Sequence, residues 1–226
     1  MNKLNLRFTL FLLFAVVSVA VPLSMIWKYE NTLRHGTLYK FRTKPVDPYD
    51  ALRGRYVTLA FADDFIERIQ QGENGGELKQ AQYFYKTTPL YVRIAADGEG
   101  FAKPVTASLT PLAGDDVITV DRFWASSVTK HDKQKNEMVS PGWTLAYPFD
   151  RYYLPEDMAP EAEKLYTKVN RSASGSADGP ASDGEREREN SSYVSVRVRN
   201  GVGVLEELYI GGKPVREALR AELGKK

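Results

Sequence analysis

The sequence predicts a mainly β fold of the α+β class: one N-terminal transmembrane helix followed by a compact antiparallel β-rich domain with one or two short helices. Three observations predict it. Residues 8–27 form an apolar run without a charge; from residue 37 onward β-branched and aromatic residues cluster in short runs separated by Gly, Pro and Asp; and two segments carry hairpin signatures. The 226 residues hold 31 Lys and Arg against 29 Asp and Glu, so no single-sign field is present to attract a nucleic-acid backbone. Nucleic acid is therefore not an expected partner. Cysteine is absent, which excludes disulfide frameworks, thiol nucleophiles and thiolate metal sites and leaves stability to packing.

The first element follows a basic tip at residues 1–7. At helical rise residues 8–27 span roughly the 30 Å of a bilayer's hydrocarbon, with Arg7 and Lys28 as charged fences. Lys3, Arg7, the apolar run and Ser18-Val19-Ala20 also imitate a cleavable secretory signal. Apolarity continues through Val21, Leu23, Met25, Ile26 and Trp27, as a retained helix requires, and Pro22 would only kink it. Retention is the expectation, with cleavage after Ala20 the alternative. Lys28, Arg34, Lys40, Arg42 and Lys44 would hold the following domain in the cytoplasm if the positive-inside rule were read literally, whereas the signal-like start favours export. Residues 28–36 read as a juxtamembrane linker and residues 37–226 as the domain.

Within the domain, residues 56–61, 90–95, 117–128 and 193–199 read most clearly as strands. Leu90-Tyr91-Val92-Arg93-Ile94 alternates, and Asp97-Gly98-Glu99-Gly100 supplies a turn into a second strand at 102–109. Val194, Val196 and Val198 share a face opposite Ser195, Arg197 and Arg199. Asn200-Gly201 follows, a pair suited to the left-handed backbone of a tight turn, and the return strand runs over 202–210. Helical spacing of Met158, Ala162, Leu165 and Val169 predicts a helix at 160–169, with acids at its start and Lys164 and Lys168 at its end. Residues 172–192 hold no hydrophobic side chain larger than Ala until the final strand and are expected to be a disordered loop. Asn170-Arg171-Ser172 and Asn190-Ser191-Ser192 have the form of glycosylation acceptors. After Gly211-Gly212 a terminal helix is expected at 215–223, behind Pro214.

The segment at residues 45–61 joins a turn to a strand. Asp47 is placed to cap a helical turn opening with Pro48, Asp50 lies in its first turn, and Gly54 suits the positive φ that would stop it. The strand then sets Tyr56, Thr58 and Ala60 against Val57, Leu59 and Phe61. Leu52-Arg53-Gly54-Arg55-Tyr56-Val57-Thr58-Leu59-Ala60-Phe61, with its Pro45-Val46-Asp47-Pro48 lead-in, resembles the signature of the bacterial GDYXXLXY family. Tyr152-Tyr153-Leu154-Pro155-Glu156, Gly201-Val202-Gly203-Val204 and Leu208-Tyr209-Ile210-Gly211-Gly212 extend the likeness over most of the chain outside 172–192. Arg55 stands where the pattern has Asp and Phe61 where it has the last Tyr; the second change loses only a hydroxyl. Gly54, Tyr56 and Leu59 match. The resemblance implies a membrane-anchored bacterial protein of uncharacterised function working beside a multi-spanning membrane protein; together with the signal-like start, the expected placement is the inner membrane with a periplasmic domain. It implies no reaction.

Candidate chemistry is sparse. His35 and His131 lie far apart without acids at metal-ligand spacing, so neither a metal nor another cofactor is expected. Asp47, Asp50, Asp63 and Asp64 suit acid–base work or Ca²⁺ by residue type, but the first two have capping roles and Asp63-Asp64 read as a strand-to-helix junction. Ser127-Val128-Thr129-Lys130 matches an S-x-x-K nucleophile pattern without its companion motifs and on a strand-favouring sequence. Trp143, Tyr147, Phe149, Tyr152 and Tyr153 suit a core better than a binding face. Arg53 and Arg55 flank Gly54, and with Tyr152, Tyr153 and Glu156 they are the candidate surface contacts. The leading expectation is an accessory of an integral membrane partner. The contrasting one is an extracytoplasmic enzyme, or a glycan or lipid-headgroup binder, whose site joins residues 47–56 to residues 147–156.

Overall fold

The structure, a computed structural model, describes residues 3–44, 56–70, 85–86, 88–130, 138–175 and 192–223. Among them are three helices and fifteen short strands, paired antiparallel except for one strand pair and two isolated parallel bridges, Lys40 with Phe101 and Ile118 with Gly201. Helix α1 (Lys3–His35) is unbroken through Pro22, and its part from Arg7 onward is long and apolar enough to cross a membrane. It runs on through the expected linker to His35, so no flexible segment separates the apolar run from the domain. Thr32, in its last turn, is buried, and Gly36 accepts almost nothing more: a Cβ there would lie 2.5 Å from the Thr32 carbonyl oxygen and 3.0 Å from that of Val198. The chain can leave the helix against the sheet only because this residue is glycine.

Strand β1 (Thr37–Lys44) starts at that joint and pairs with β13 (Tyr193–Arg199), placing the beginning of the domain against its end. β13 and β14 (Val202–Ile210) form the expected hairpin, with Asn200 at φ 47° and Gly201 at φ 81°. The sheet runs β15-β14-β13-β1-β3, where β3 is Ala60–Phe61 and β15 is Lys213–Pro214. β7 (Leu90–Ala96) and β8 (Ala102–Ser108) form the other expected hairpin, flanked by β9 (Val117–Val120) and, in parallel, by β5 (Ile69–Gln70). The strand expected over 117–128 is broken at Asp121, where the chain leaves this sheet for β10 (Arg122–Lys130). β10 pairs in register with β11 (Met138–Ala146), a hairpin that the sequence did not suggest. β4 (Phe65–Ile66) and β6 (Tyr85–Lys86) flank it.

Helix α2 (Ala159–Gly175) is longer than predicted, and α3 (Val215–Leu223) matches its prediction. Ala162 and Tyr166 of α2 and Val215 and Leu219 of α3 are buried with Leu208 and Ile210 of β14 in one apolar core. Of the expected loop at 172–192, residues 172–175 belong to α2, Ser192 is buried, and residues 176–191 lie outside the described residues. The core's largest members include Trp143, Phe41 and Phe123, so the aromatic run before α2 serves packing at Trp143, Tyr147 and Phe149.

Candidate functional site

The motif strand changes sheets in its middle. Residues Tyr56–Thr58 (β2) pair with Arg151–Tyr153 (β12), whereas β3 pairs with β1; Leu59 sits at the crossover and donates its N–H to the Asp150 carbonyl at 2.8 Å. Its alternation drives the placement: Val57, Leu59 and Phe61 are buried and Tyr56, Thr58 and Ala60 half-buried. Phe61, at the position of the pattern's last Tyr, meets Phe41, Tyr147 and Phe149 at ring-centroid distances of 5.9, 5.3 and 5.4 Å. Among these rings the polar tip belongs to Tyr147, whose hydroxyl donates to the Asp63 carbonyl at 2.9 Å. Burial, followed by the charges of Asp64 and Asp63, pushes this hydroxyl far above its ordinary value, so it stays a donor.

A cleft of about 260 Å³ opens beside the crossover, lined by Leu59, Phe61, Leu145 and Tyr147 below and by Arg122, Trp124 and Asp150 toward solvent. Asp150 is the centre of a loose corner. Its carboxylate lies 4.0 Å from Arg122 Nη2 and 3.7 Å from Arg151 Nε, and all three side chains are close to half exposed. Arg151 also lies over the Tyr56 ring, 5.1 Å from its centroid, and Tyr56 meets Tyr153 edge-on at 5.6 Å. The Tyr153 hydroxyl, then Asp150 and Tyr56, raise the Arg151 guanidinium. Outside α1, the exposed large apolar side chains are Leu38, Val105, Trp124 and Tyr153 among the described residues, and the two aromatic ones flank this corner.

A second arginine cluster is built differently. Arg42 of β1 donates to Asp97 at 2.9 Å, Glu99 at 2.7 Å and Asp63 at 3.3 Å, and its guanidinium lies 4.0 Å from the centroid of Phe101. Burial alone would raise the Asp97 carboxyl, but the Phe101 N–H, the Arg42 guanidinium and the Glu99 N–H together hold it well below the usual carboxylate range. This knot ties the β7–β8 turn to β1 and to the residues after β3. Its donors and acceptors are turned on one another.

Of the predicted site residues, Asp47, Pro48, Asp50, Arg53, Gly54 and Arg55 lie outside the described residues. Tyr56 stands opposite Tyr153 in the β2–β12 pairing, with Tyr152 beside it and Leu59 bonded to the Asp150 carbonyl; of the segment 47–56 in the contrasting expectation, Tyr56 alone is among the described residues. Tyr152 faces inward and donates to Glu207 at 2.7 Å, Tyr153 is exposed, and Glu156 lies on the exposed turn before α2. Asp63 and Asp64 stand between two strands, not before a helix, and pair with Arg42 and Lys44. Ser127 and Lys130 lie along β10, where a spacing of three puts them on opposite faces, and this ends the nucleophile reading. His35 is exposed at the end of α1 and His131 lies outside the described residues, among which no group of three or more metal-ligating side chains is found. Arg122, Trp124 and Asp150 were not singled out from the sequence; an exposed Trp on a strand beside a Gly/Pro-bearing partner was the available signal.

No curated protein and no solved structure gives a significant match. A family model does: residues 18–208 match the GDYXXLXY protein model, and the chain belongs to that family.

Proposed function

We propose that the protein is a single-pass membrane-anchored accessory module, held outside the cytoplasm of a bacterial cell by α1, that acts through contact with an integral membrane protein. The observation that carries this reading is the continuity of α1. One helix contains the apolar span and ends packed on β13 and β14, where the Gly36 carbonyl accepts from Arg197 at 3.3 Å. A membrane helix joined to a domain without a flexible linker fixes which surface of the domain meets a neighbour in the bilayer. Such coupling serves a positional role; a freely tethered enzyme has no use for it. The signal-like start supports export of the domain, and the apolar run that continues through Trp27 supports retention by α1. The helix survives alkaline carbonate extraction if it is an anchor, and a protein that washes free would remove the reading.

Crosslinking in intact membranes, followed by solubilisation, tests the partnership. The expected result is a discrete adduct with a multi-spanning protein; monomer alone at every crosslinker level contradicts it. A phosphatase reporter fused after residue 226 is expected to be active, and an inactive fusion at normal abundance would place the domain on the cytoplasmic side.

A further inference from the structure

We infer that the corner formed by Arg122, Trp124, Asp150, Arg151 and Tyr153 is the partner-contact face, and that it takes a protein segment presenting a carboxylate beside an apolar side chain. This inference rests on the accessory reading above and names the surface it uses.

The charge balance of the corner carries the argument. Two guanidinium groups share one carboxylate, at 4.0 and 3.7 Å, distances beyond a good charge-assisted hydrogen bond. Asp64, the other acid of the cleft, is occupied by Lys44 at 2.8 Å. The corner therefore carries a net positive charge, and beyond the contact between Arg151 and the Tyr153 hydroxyl its two guanidinium groups reach their shared carboxylate only at 3.7 and 4.0 Å, which suits them to a second carboxylate. Arg42 shows what the same residue looks like when its partners are internal: three carboxylate contacts between 2.7 and 3.3 Å.

The apolar half of the recognition is next to it. The cleft of about 260 Å³ has a floor of Leu59, Phe61, Leu145 and Tyr147 and a rim at Trp124, which is 38% exposed, while Tyr153 on the other flank is 67% exposed. Exposed Trp, Tyr and Arg grouped around a pocket are the side chains that dominate binding energy at protein interfaces, where an aromatic or aliphatic anchor fills the pocket and a polar rim excludes water. An acidic residue next to such an anchor would pair with Arg122 or Arg151 in the partly desolvated site. The family motif then acquires a use. Its Leu59 and Phe61 build the floor, its crossover at Leu59 brings Asp150 to the rim, and its Tyr56 supports Arg151.

The experiment uses the full chain in the membranes of its own host. A photoreactive benzoylphenylalanine replaces Trp124 or, separately, Tyr153, with a control at exposed Val105 on β8, and adducts are sequenced by mass spectrometry. The expected adducts from both corner positions map to one segment of an integral membrane protein that contains an Asp or Glu beside an apolar residue. They are expected to fall by about tenfold when Arg122→Glu and Arg151→Glu are added, the loss of one to two charge-assisted contacts. Changing the mapped acidic residue to Arg restores them in that reversed background. Because charge reversal can disturb folding, Arg122→Gln with Arg151→Gln is run in parallel, with melting curves for every variant. Adducts unchanged in folded charge variants, adducts to lipid or glycan, or equal adducts from position 105 overturn the inference. Silence at positions 124 and 153 while the chain still copurifies with a membrane protein rejects this face and leaves the accessory reading standing. Loss of copurification altogether rejects both.

Discussion

Arg42 and the Arg122–Arg151 pair use the same side chain toward opposite ends. Arg42 is three-quarters buried by side-chain area, holds Asp63, Asp97 and Glu99, and covers Phe101; Arg122 and Arg151 are more than half exposed and share Asp150 at long range. The difference is one of saturation. A guanidinium whose donors are spent on internal acids locks a turn onto a strand, whereas one whose donors remain at the rim of an aromatic cleft has capacity for a visitor. Conservation of charge alone would not separate them; geometry does.

The largest effect is expected at the saturated cluster. Arg42→Gln leaves three carboxylates facing one another without their common cation and should destabilise the domain by about 2 kcal/mol, read by urea unfolding. A loss under about 0.5 kcal/mol would mean the knot is as loose as the corner. Next is the joint between helix and sheet. Gly36→Ala drives a Cβ into the Thr32 and Val198 backbone and should cost about 1 to 3 kcal/mol, while Gly98→Ala, with open space around it, serves as the mild control. Equal melting temperatures for the two variants would show that α1 is not seated as described.

Acid should act through the knot as well. The folded-state value of Asp97 is depressed, so its contribution is fully present above the ordinary carboxylate value of about 3.9 and is lost as pH falls below that toward the folded value. Asp97→Asn should therefore be less stable than the parent at pH 7, and the gap should narrow as pH is lowered from 5 to 2.5. A gap that is constant with pH would remove Asp97 from the acid response. The smallest effect belongs to the corner: Arg122→Gln with Arg151→Gln should leave the urea midpoint unchanged, because exposed pairs at these distances contribute little.

The parts of this fold legible in sequence are those written in adjacent residues. The Asn200-Gly201 hairpin, the Asp97–Gly100 turn and the terminal helix each carry their own turn chemistry or period. What was not legible depends on residues far apart. β11 was missed because Pro141 and Gly142 interrupt a strand reading; Pro141 lies at an exposed position, and Gly142 is buried against Phe65 and the Ile66 carbonyl. The break at Asp121 and the crossover at Leu59 are choices of partner strand, which local propensity does not encode. For the site, Tyr56, Leu59 and Tyr153 could be selected from the motif and its echoes. Arg122 and Trp124 could not, since β10 and its Asp150 neighbour meet only through tertiary pairing. The Arg42 knot joins residues 21 to 57 positions apart and was invisible for the same reason.

The most direct measurement sets two variants side by side in native membranes: photocrosslinking from position 124 and urea unfolding, for Arg42→Gln and for Arg122→Gln with Arg151→Gln. The account predicts separation, with the first variant losing stability but still crosslinking while folded, and the second keeping stability but losing its adducts. If the double variant instead unfolds early and crosslinks normally whenever folded, the corner is a structural clasp and the distinction drawn between the two clusters is wrong.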